Sequence, residues 1–351
     1  MNNLGIVGGG LLGRMAAFIL NESGYDITVF EQNSSSPPIG TQRAAAFSSA
    51  GMLSPLSEKE SGGKEVFELG NRSMTLWPVL DELIKKTLGY GLELKIIGNI
   101  FVSQTQDLSF ADRLFKKISY IPNTLTIDQL NDLEPSIDPK LKCWLIPNEG
   151  QVDPLLAMKN FYNSTIKNKS ESFVKWNFNS KVKFISEGTV HTEKNESKFD
   201  WIFDFRGLGA KDLKIRGVRG EIFLLQPPKN FILNRPVRLI HPRVRIYVVP
   251  KLSGEVMVGA TDIELEDISP VSVNSTIELL TAARSILPGL NEARILHSDV
   301  NLRPACNDNL PLFFSSKSIS HVNGLFRQGW LLAPALLEKI FTDIGLKTSI
   351  S

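Results

Sequence analysis

The stretch Leu4-Gly5-Ile6-Val7-Gly8-Gly9-Gly10-Leu11-Leu12-Gly13 reads as a strand running straight into a glycine loop that opens a helix. A second strand, Asp26-Ile27-Thr28-Val29-Phe30, follows and ends on Glu31. Together they form a complete βαβ unit with a dinucleotide-binding fingerprint. Gly8 serves the tight turn, Gly10 lets backbone approach a pyrophosphate, and Gly13 lets the helix pack on the strand. The helix N-terminus offers free N–H groups and partial positive charge to phosphates. Glu31 stands 18 residues after Gly13 (31 − 13), where an acid is needed for a ribose hydroxyl.

Composition narrows the rest. The chain has 351 residues, enough for two domains with their own cores. Lys+Arg minus Asp+Glu is 39 − 37 = +2, and no long basic run occurs, so nucleic acid is not an expected partner. Cys143 and Cys306 are the two cysteines, too few for a disulfide framework and suited to a reducing compartment. The four histidines (191, 241, 297, 321) have no metal-ligand spacing, so no metal is expected. Met1-Asn2-Asn3 leads directly into the first strand without the basic and apolar regions of a signal peptide. No run reaches the ~18 apolar residues of a membrane span. The expectation is a soluble, cytoplasmic protein.

Further along, Ala44 to Leu53 is dense in small residues, which lets a neighbouring backbone or a flat ligand come close. Residues 65–86 have a helical pattern, and 94–97 and 100–103 read as strands joined in a hairpin at Gly98-Asn99. Asp153-Pro154 is a helix start, with Asp as N-cap and Pro at the first helical position. Four strands are expected over 172–205, the last of which runs into Arg206-Gly207-Leu208-Gly209-Ala210. Ligands bind at such glycine-bearing carboxyl ends in open α/β sheets. Segments 219–226, 237–250 and 255–261 are β-rich; a helix follows over 274–287, and another begins near Leu332. The chain is expected to return to the nucleotide domain through Leu302–Ala305.

The expected fold is an α/β dinucleotide-binding Rossmann-like domain with a parallel sheet and a β-meander, plus an interleaved α+β substrate domain with an antiparallel sheet. Residues 1–75, 150–215 and 300–351 are assigned to the first domain, and 76–149 and 216–299 to the second.

Several segments resemble the flavin-dependent D-amino-acid oxidase superfamily, and within it the glycine oxidases of bacterial thiamine biosynthesis. They are GIVGGGLLGR (5–14), SSAGMLSP (48–55), EGQVDP (149–154), RGLGA (206–210), RGEI (219–222), HPRVRIYVVP…VGATDIE (241–264), NLRPACNDNLP (301–311) and GLFRQGWLLAPAL (324–336). The resemblance implies noncovalent FAD. By motif it puts Leu11 and Leu12 at the pyrophosphate, with Glu31 and Gln32 at the adenosine ribose. Val182 goes to the adenine side, and Ala45, Ala46, Ala50, Gly51 and Met52 to the flavin. Gly207 and Gly209 join the cofactor set, and Leu325, Phe326, Arg327, Gln328, Gly329, Trp330 and Leu331 run along the pyrimidine edge of the ring. Cys306 does not reproduce the covalent attachment motif of sarcosine oxidases and reads as a packed side chain.

Within the same resemblance, Arg303 and Tyr247 are the substrate candidates, with Arg327 and Met52 beside them. A guanidinium holds a carboxylate through two parallel charge-assisted bonds and so fixes the α-carbon. Hydride transfer needs that placement at about 3–3.5 Å. No catalytic acid or base is assigned, because the flavin carries the redox step.

The expected activity is oxidative deamination of a small α-amino acid, glycine foremost, with O2 as acceptor. The imine would be hydrolysed to glyoxylate or pass to thiazole synthesis. A D-amino-acid or N-methyl-amino-acid oxidase or dehydrogenase, and a flavin-binding subunit without turnover, stay open. So does a homo-oligomer.

Overall fold

The computed structural model describes residues 2–38, 43–167 and 172–350. Its first sheet has six strands, in the order Leu312–Ser316, Ile319–Asn323, Trp201–Asp204, Asn3–Val7, Asp26–Phe30, Val174–Asn177. All neighbours are parallel except the Leu312–Ser316 edge. The register Val7↔Asp204 and Val7↔Phe30 brings three strand ends together beside the glycine loop. Ile6 and Ile202, both fully buried, show why the central strands read as apolar runs.

A separate eight-stranded sheet carries the β-rich segments. Strand Arg216–Gln226 pairs antiparallel with Arg294–Ala305 along its whole length and with Val256–Gly259 on its other side. Alternation is weak here because both faces are covered. One core joins Val237, Val248, Val258 and Ile286, whereas Ile222, Val249 and Met257 pack on the cavity side.

Helices Leu11–Glu22, Pro55–Leu88, Pro154–Lys167 and Gly329–Asp343 cover one face of the parallel sheet. Phe18 meets Phe161 at 5.7 Å, Phe161 meets Trp77 at 6.4 Å and Trp77 stacks on Trp330 at 6.1 Å, tying all four together. Asp153 Oδ1 accepts from Leu156 N at 2.9 Å, the N-cap expected from Asp153-Pro154. The meander is Val182–Ser186, Thr189–Thr192 and Glu196–Lys198.

Several expectations need correction. Leu94–Ile97 forms no strand: Asn99–Ser103 has Lys142–Ile146 on one edge and Val237–Leu239 on the other, which leaves no edge for a hairpin partner. Residues 172–205 hold five strands rather than four. The unrecognised one, Glu196–Lys198, is short and polar, and pairs with Thr189–Thr192 through its backbone and through Glu196 Oε1 to His191 Nδ1 (3.0 Å). Residues 237–250 form two antiparallel strands. Between them His241 makes a turn, its Nδ1 accepting from Arg243 N (3.1 Å) and Val244 N (3.0 Å).

The helix expected at 65–86 begins at Pro55 and breaks at Gly63 (φ 67°), and the last helix begins at Gly329 rather than Leu332. Leu302–Ala305 does not return to the parallel sheet, because these residues finish the antiparallel strand Arg294–Ala305. We propose the two-domain division on this partition of the sheets; the boundary expected at 300 falls inside that strand.

Candidate functional site

The glycine loop is shaped by contacts that tolerate no side chain. A Cβ on Gly13 would stand 1.8 Å from the Gly8 carbonyl oxygen, so the helix lies directly on the turn. Gly8 has φ 104°, and its Cβ would stand 2.4 Å from the Phe205 carbonyl oxygen. Arg14 holds the loop from behind. Its guanidinium, buried in the helix, donates to Gly9 O (2.9 Å), Met158 O (2.9 Å) and Ser35 O (2.5 Å). Burial lowers its pKa to about 10. Glu31 Oε2 accepts from Gly9 N at 2.6 Å and Oε1 from Asn33 N at 2.8 Å. The carboxylate thus orients the loop while retaining further acceptor sites.

From this loop a cavity of about 1100 Å³ extends between the two sheets. Its wall includes Gly8, Gly10, Leu11, Leu12, Glu31, Gln32, Ala45, Ala46, Ala50, Gly51, Met52, Gly207, Gly209, Tyr247, Arg303 and Leu325 through Leu331. Nearly every residue expected at the site therefore shares one space. Gly13 lies behind the wall, as its packing requires. Val182 is also absent from it and packs against Val7, Phe30, Val190 and Ile202 under the meander, while Lys181 lines the cavity instead. Lys181 stands just before the strand and is exposed, whereas Val182 opens the strand and packs inward.

The wall fits a large planar cofactor with a diphosphate. Small residues line it at 45–51, and the helix starting at Gly329 presents its free N–H end. Gln328, itself buried, leaves Oε1 without a partner among the described residues, an acceptor suited to a ring N–H. Trp330 Nε1 donates to Ser49 Oγ (2.7 Å), and Phe326 N to Pro304 O (2.8 Å), joining this loop to both neighbouring walls. Cys306 is not in the wall, and its Sγ lies where a Cβ on Gly324 would fall, at 2.3 Å, so it is a packing thiol.

Opposite, four charges alternate. Arg303 Nη1 donates to Asp262 Oδ1 (2.7 Å) and to Thr261 O (3.0 Å). Asp262 Oδ2 accepts from Arg327 Nη1 (3.2 Å). Arg327 in turn grips Glu58 through Nε (3.1 Å to Oε2) and Nη2 (3.1 Å to Oε1). Burial works against ionised Glu58, but the charge and hydrogen bonds of Arg327 hold it below the usual carboxylate range. Glu58 most of all pushes the Arg327 pKa up. The Arg303 guanidinium lies where a Gly220 Cβ would be (2.4 Å from Nη2), flat on the strand backbone. Its Nε and Nη2 make no hydrogen bond among the described residues, so one edge of the fork is open. Burial raises the Tyr247 phenol, keeping it a neutral donor.

Glu58, Asp262, Arg238 and the buried pair Arg43–Asp299 (2.5 Å) are site residues that sequence reasoning missed. Asp262 stood inside the quoted segment VGATDIE, but spacing alone gives no sign that it meets two arginines. Glu58 was hidden because its helix was expected to start later. Arg245, two residues before Tyr247, pairs with Glu60 at 3.4 Å.

Glu149 supports the same wall. Its carboxylate accepts from Leu56 N (2.9 Å), Ser57 N (3.2 Å) and Asn99 Nδ2 (2.8 Å), fixing the start of the helix that carries Glu58. Burial outweighs these donors and raises its pKa to about 7. A carboxyl raised above its unfolded value of about 4.3 binds protons more tightly when folded. Its contribution to stability is then complete below that value and lost as pH rises through about 7. We expect the parent Tm to fall more steeply than that of Glu149→Gln between about pH 5 and about pH 8. Equal slopes would show that Glu149 titrates normally.

Comparison with known proteins agrees with this geometry. A protein of Rhizobium etli that carries the name thiamine biosynthesis oxidoreductase ThiO is 30% identical over 339 residues, covering 95% of this chain and 93% of that protein. Glycine oxidase of Geobacillus kaustophilus is 24% identical over 352 residues, covering 95% and 90%. The crystal structure of glycine oxidase from that organism has a TM-score of 0.79 with 23% identity, covering 97% of this chain and 95% of its own. The FAD dependent oxidoreductase family (DAO) matches residues 3–339, and the chain belongs to that family.

Proposed function

We propose that this chain oxidises a small α-amino acid, glycine foremost, to the corresponding imine. The observation that carries this reading is the open edge of Arg303 beside the Tyr247 phenol, in one cavity with the dinucleotide loop. When bound, FAD supplies the two-electron acceptor for removal of hydride from the substrate α-carbon. Noncovalent attachment is supported by the packed position of Cys306.

Arg303 would take the substrate carboxylate through Nε and Nη2, since Nη1 is committed to Asp262 and Thr261 O. Tyr247 adds a neutral donor to the same carboxylate. Glu58 and Asp262 hold Arg327 at the cavity wall, and the apolar wall around Met52 and Ala50 keeps water from the reacting carbon. The α-amine reacts as its neutral form, and the imine hydrolyses to glyoxylate and ammonia. O2 is the proposed acceptor, leaving as hydrogen peroxide. The ThiO name of the Rhizobium etli relative supports a place in thiamine biosynthesis, with the imine feeding thiazole formation.

Oxygen uptake and glyoxylate release with glycine, sarcosine and D-alanine test the substrate. Glycine is expected to have the highest kcat/KM; a preference for sarcosine or D-alanine would move the assignment to an N-methyl- or D-amino-acid oxidase. Tyr247→Phe should lower kcat/KM for glycine about tenfold, the worth of one hydrogen bond to a charged group. An unchanged value would remove Tyr247 from carboxylate binding.

A further inference from the structure

We propose that Asp262 sets the charge class of the substrate by excluding molecules with a second carboxylate. This rests on the preceding reading of Arg303 as the carboxylate anchor. Asp262 touches that anchor directly, and its side chain, still 38% exposed, is part of the cavity wall. It shares its two oxygens between Arg303 and Arg327, and Glu58 occupies the far side of Arg327. Two guanidinium groups and two carboxylates give 2 − 2 = 0. A relay with no net charge takes one substrate carboxylate at Arg303 and leaves no surplus positive charge for a second.

Most arginines of the cavity wall are already paired. Arg238 is committed to Ser57 O (3.2 Å) and Glu60 Oε2 (3.0 Å), and Arg245 also turns to Glu60. Arg43 is buried against Asp299. Arg206 is paired with Asp204 and Asp212, whereas Arg243, Lys181 and Lys211 line the cavity at solvent-exposed positions and, unlike Asp262, have no ion-pair contact with the anchor Arg303 among the described residues. Asp262 itself faces any added anion with a like charge. Removing that charge while keeping an acceptor for Arg303 should favour dianions more than monoanions, because the interaction scales with ligand charge.

The test uses the FAD-loaded full chain and two inert ligands, acetate and malonate, which differ by one carboxylate. Each Kd is read from perturbation of the flavin spectrum. The parent should bind malonate more weakly than acetate. Asp262→Asn should tighten malonate about tenfold more than acetate, and Asp262→Glu should restore the parent ratio. In turnover, Asp262→Asn should raise kcat/KM for iminodiacetate relative to glycine by a similar factor. Iminodiacetate keeps glycine's reacting carbon and amine and adds one carboxylate.

A purely structural ion pair would shift both ligands together, and an unchanged malonate-to-acetate ratio in Asp262→Asn overturns the proposal. So does a parent that binds neither ligand. If the ligand ratio shifts as stated but glycine is not oxidised, the charge filter stands and the amino-acid oxidase reading fails.

Discussion

Arg303→Lys is expected to keep its FAD and lose roughly 30- to 4,000-fold in kcat/KM for glycine, as for loss of about 2–5 kcal/mol at a desolvated charge pair. Lysine keeps the positive charge, and it can still reach Asp262. What it cannot do is hold Asp262 and Thr261 O through one nitrogen while offering two coplanar donors to a substrate. Glycine has no side chain to grip, so its orientation depends on that fork. Gly220 provides the flat strand surface on which the guanidinium rests. Parent-like turnover at equal flavin loading would place the carboxylate clamp elsewhere. Arg327 would be examined next, although Glu58 and Asp262 already occupy it.

Gly10→Val should yield protein that folds but retains little flavin. A Cβ at this position meets only the Ala44 methyl, at 3.3 Å, so the backbone tolerates a first carbon. The further methyl groups of valine enter the space next to the helix N-terminus, where backbone must approach a diphosphate. Forcing two methyl groups into a filled site costs about 1–3 kcal/mol, roughly 5- to 150-fold in FAD affinity. Flavin content per chain and the Kd for FAD measure this, with circular dichroism reporting the fold. Normal flavin content would contradict the role given to the loop. Gly13→Val is a poor substitute, because its Cβ would collide with the Gly8 carbonyl and disturb the fold itself.

The opening unit was legible because its requirements are local. Glycines at 8, 10 and 13, an apolar strand on each side and an acid at 31 each answer a short-range demand; the two strands pair in one sheet, Gly8 and Gly13 pack as the turn requires, and Glu31 binds the loop at Gly9 N. The two-sheet plan was legible for a related reason: residues 201–203 form an apolar run, and the β-rich 219–262 segment contrasts with it. What stayed hidden depends on distant partners. Asn99 reads as a turn residue, yet its amide is buried against Ser54 and Glu149. Leu302–Ala305 reads as a returning strand, yet its partner lies more than 80 residues earlier in the antiparallel sheet. Asp262, Glu58 and Arg238 become site residues only when three separate segments converge. Val182, expected on the adenine side, packs under the meander next to Lys181 of the wall.

The central claim is that the chain removes hydride from an amino acid held by Arg303. Anaerobic mixing of the purified FAD-loaded protein with glycine, while flavin absorbance is recorded, tests it most directly. We predict that the oxidised flavin spectrum bleaches with saturating dependence on glycine, and that Arg303→Lys bleaches far more slowly at equal flavin content. An oxidised spectrum unchanged by glycine, sarcosine and D-alanine would contradict the account.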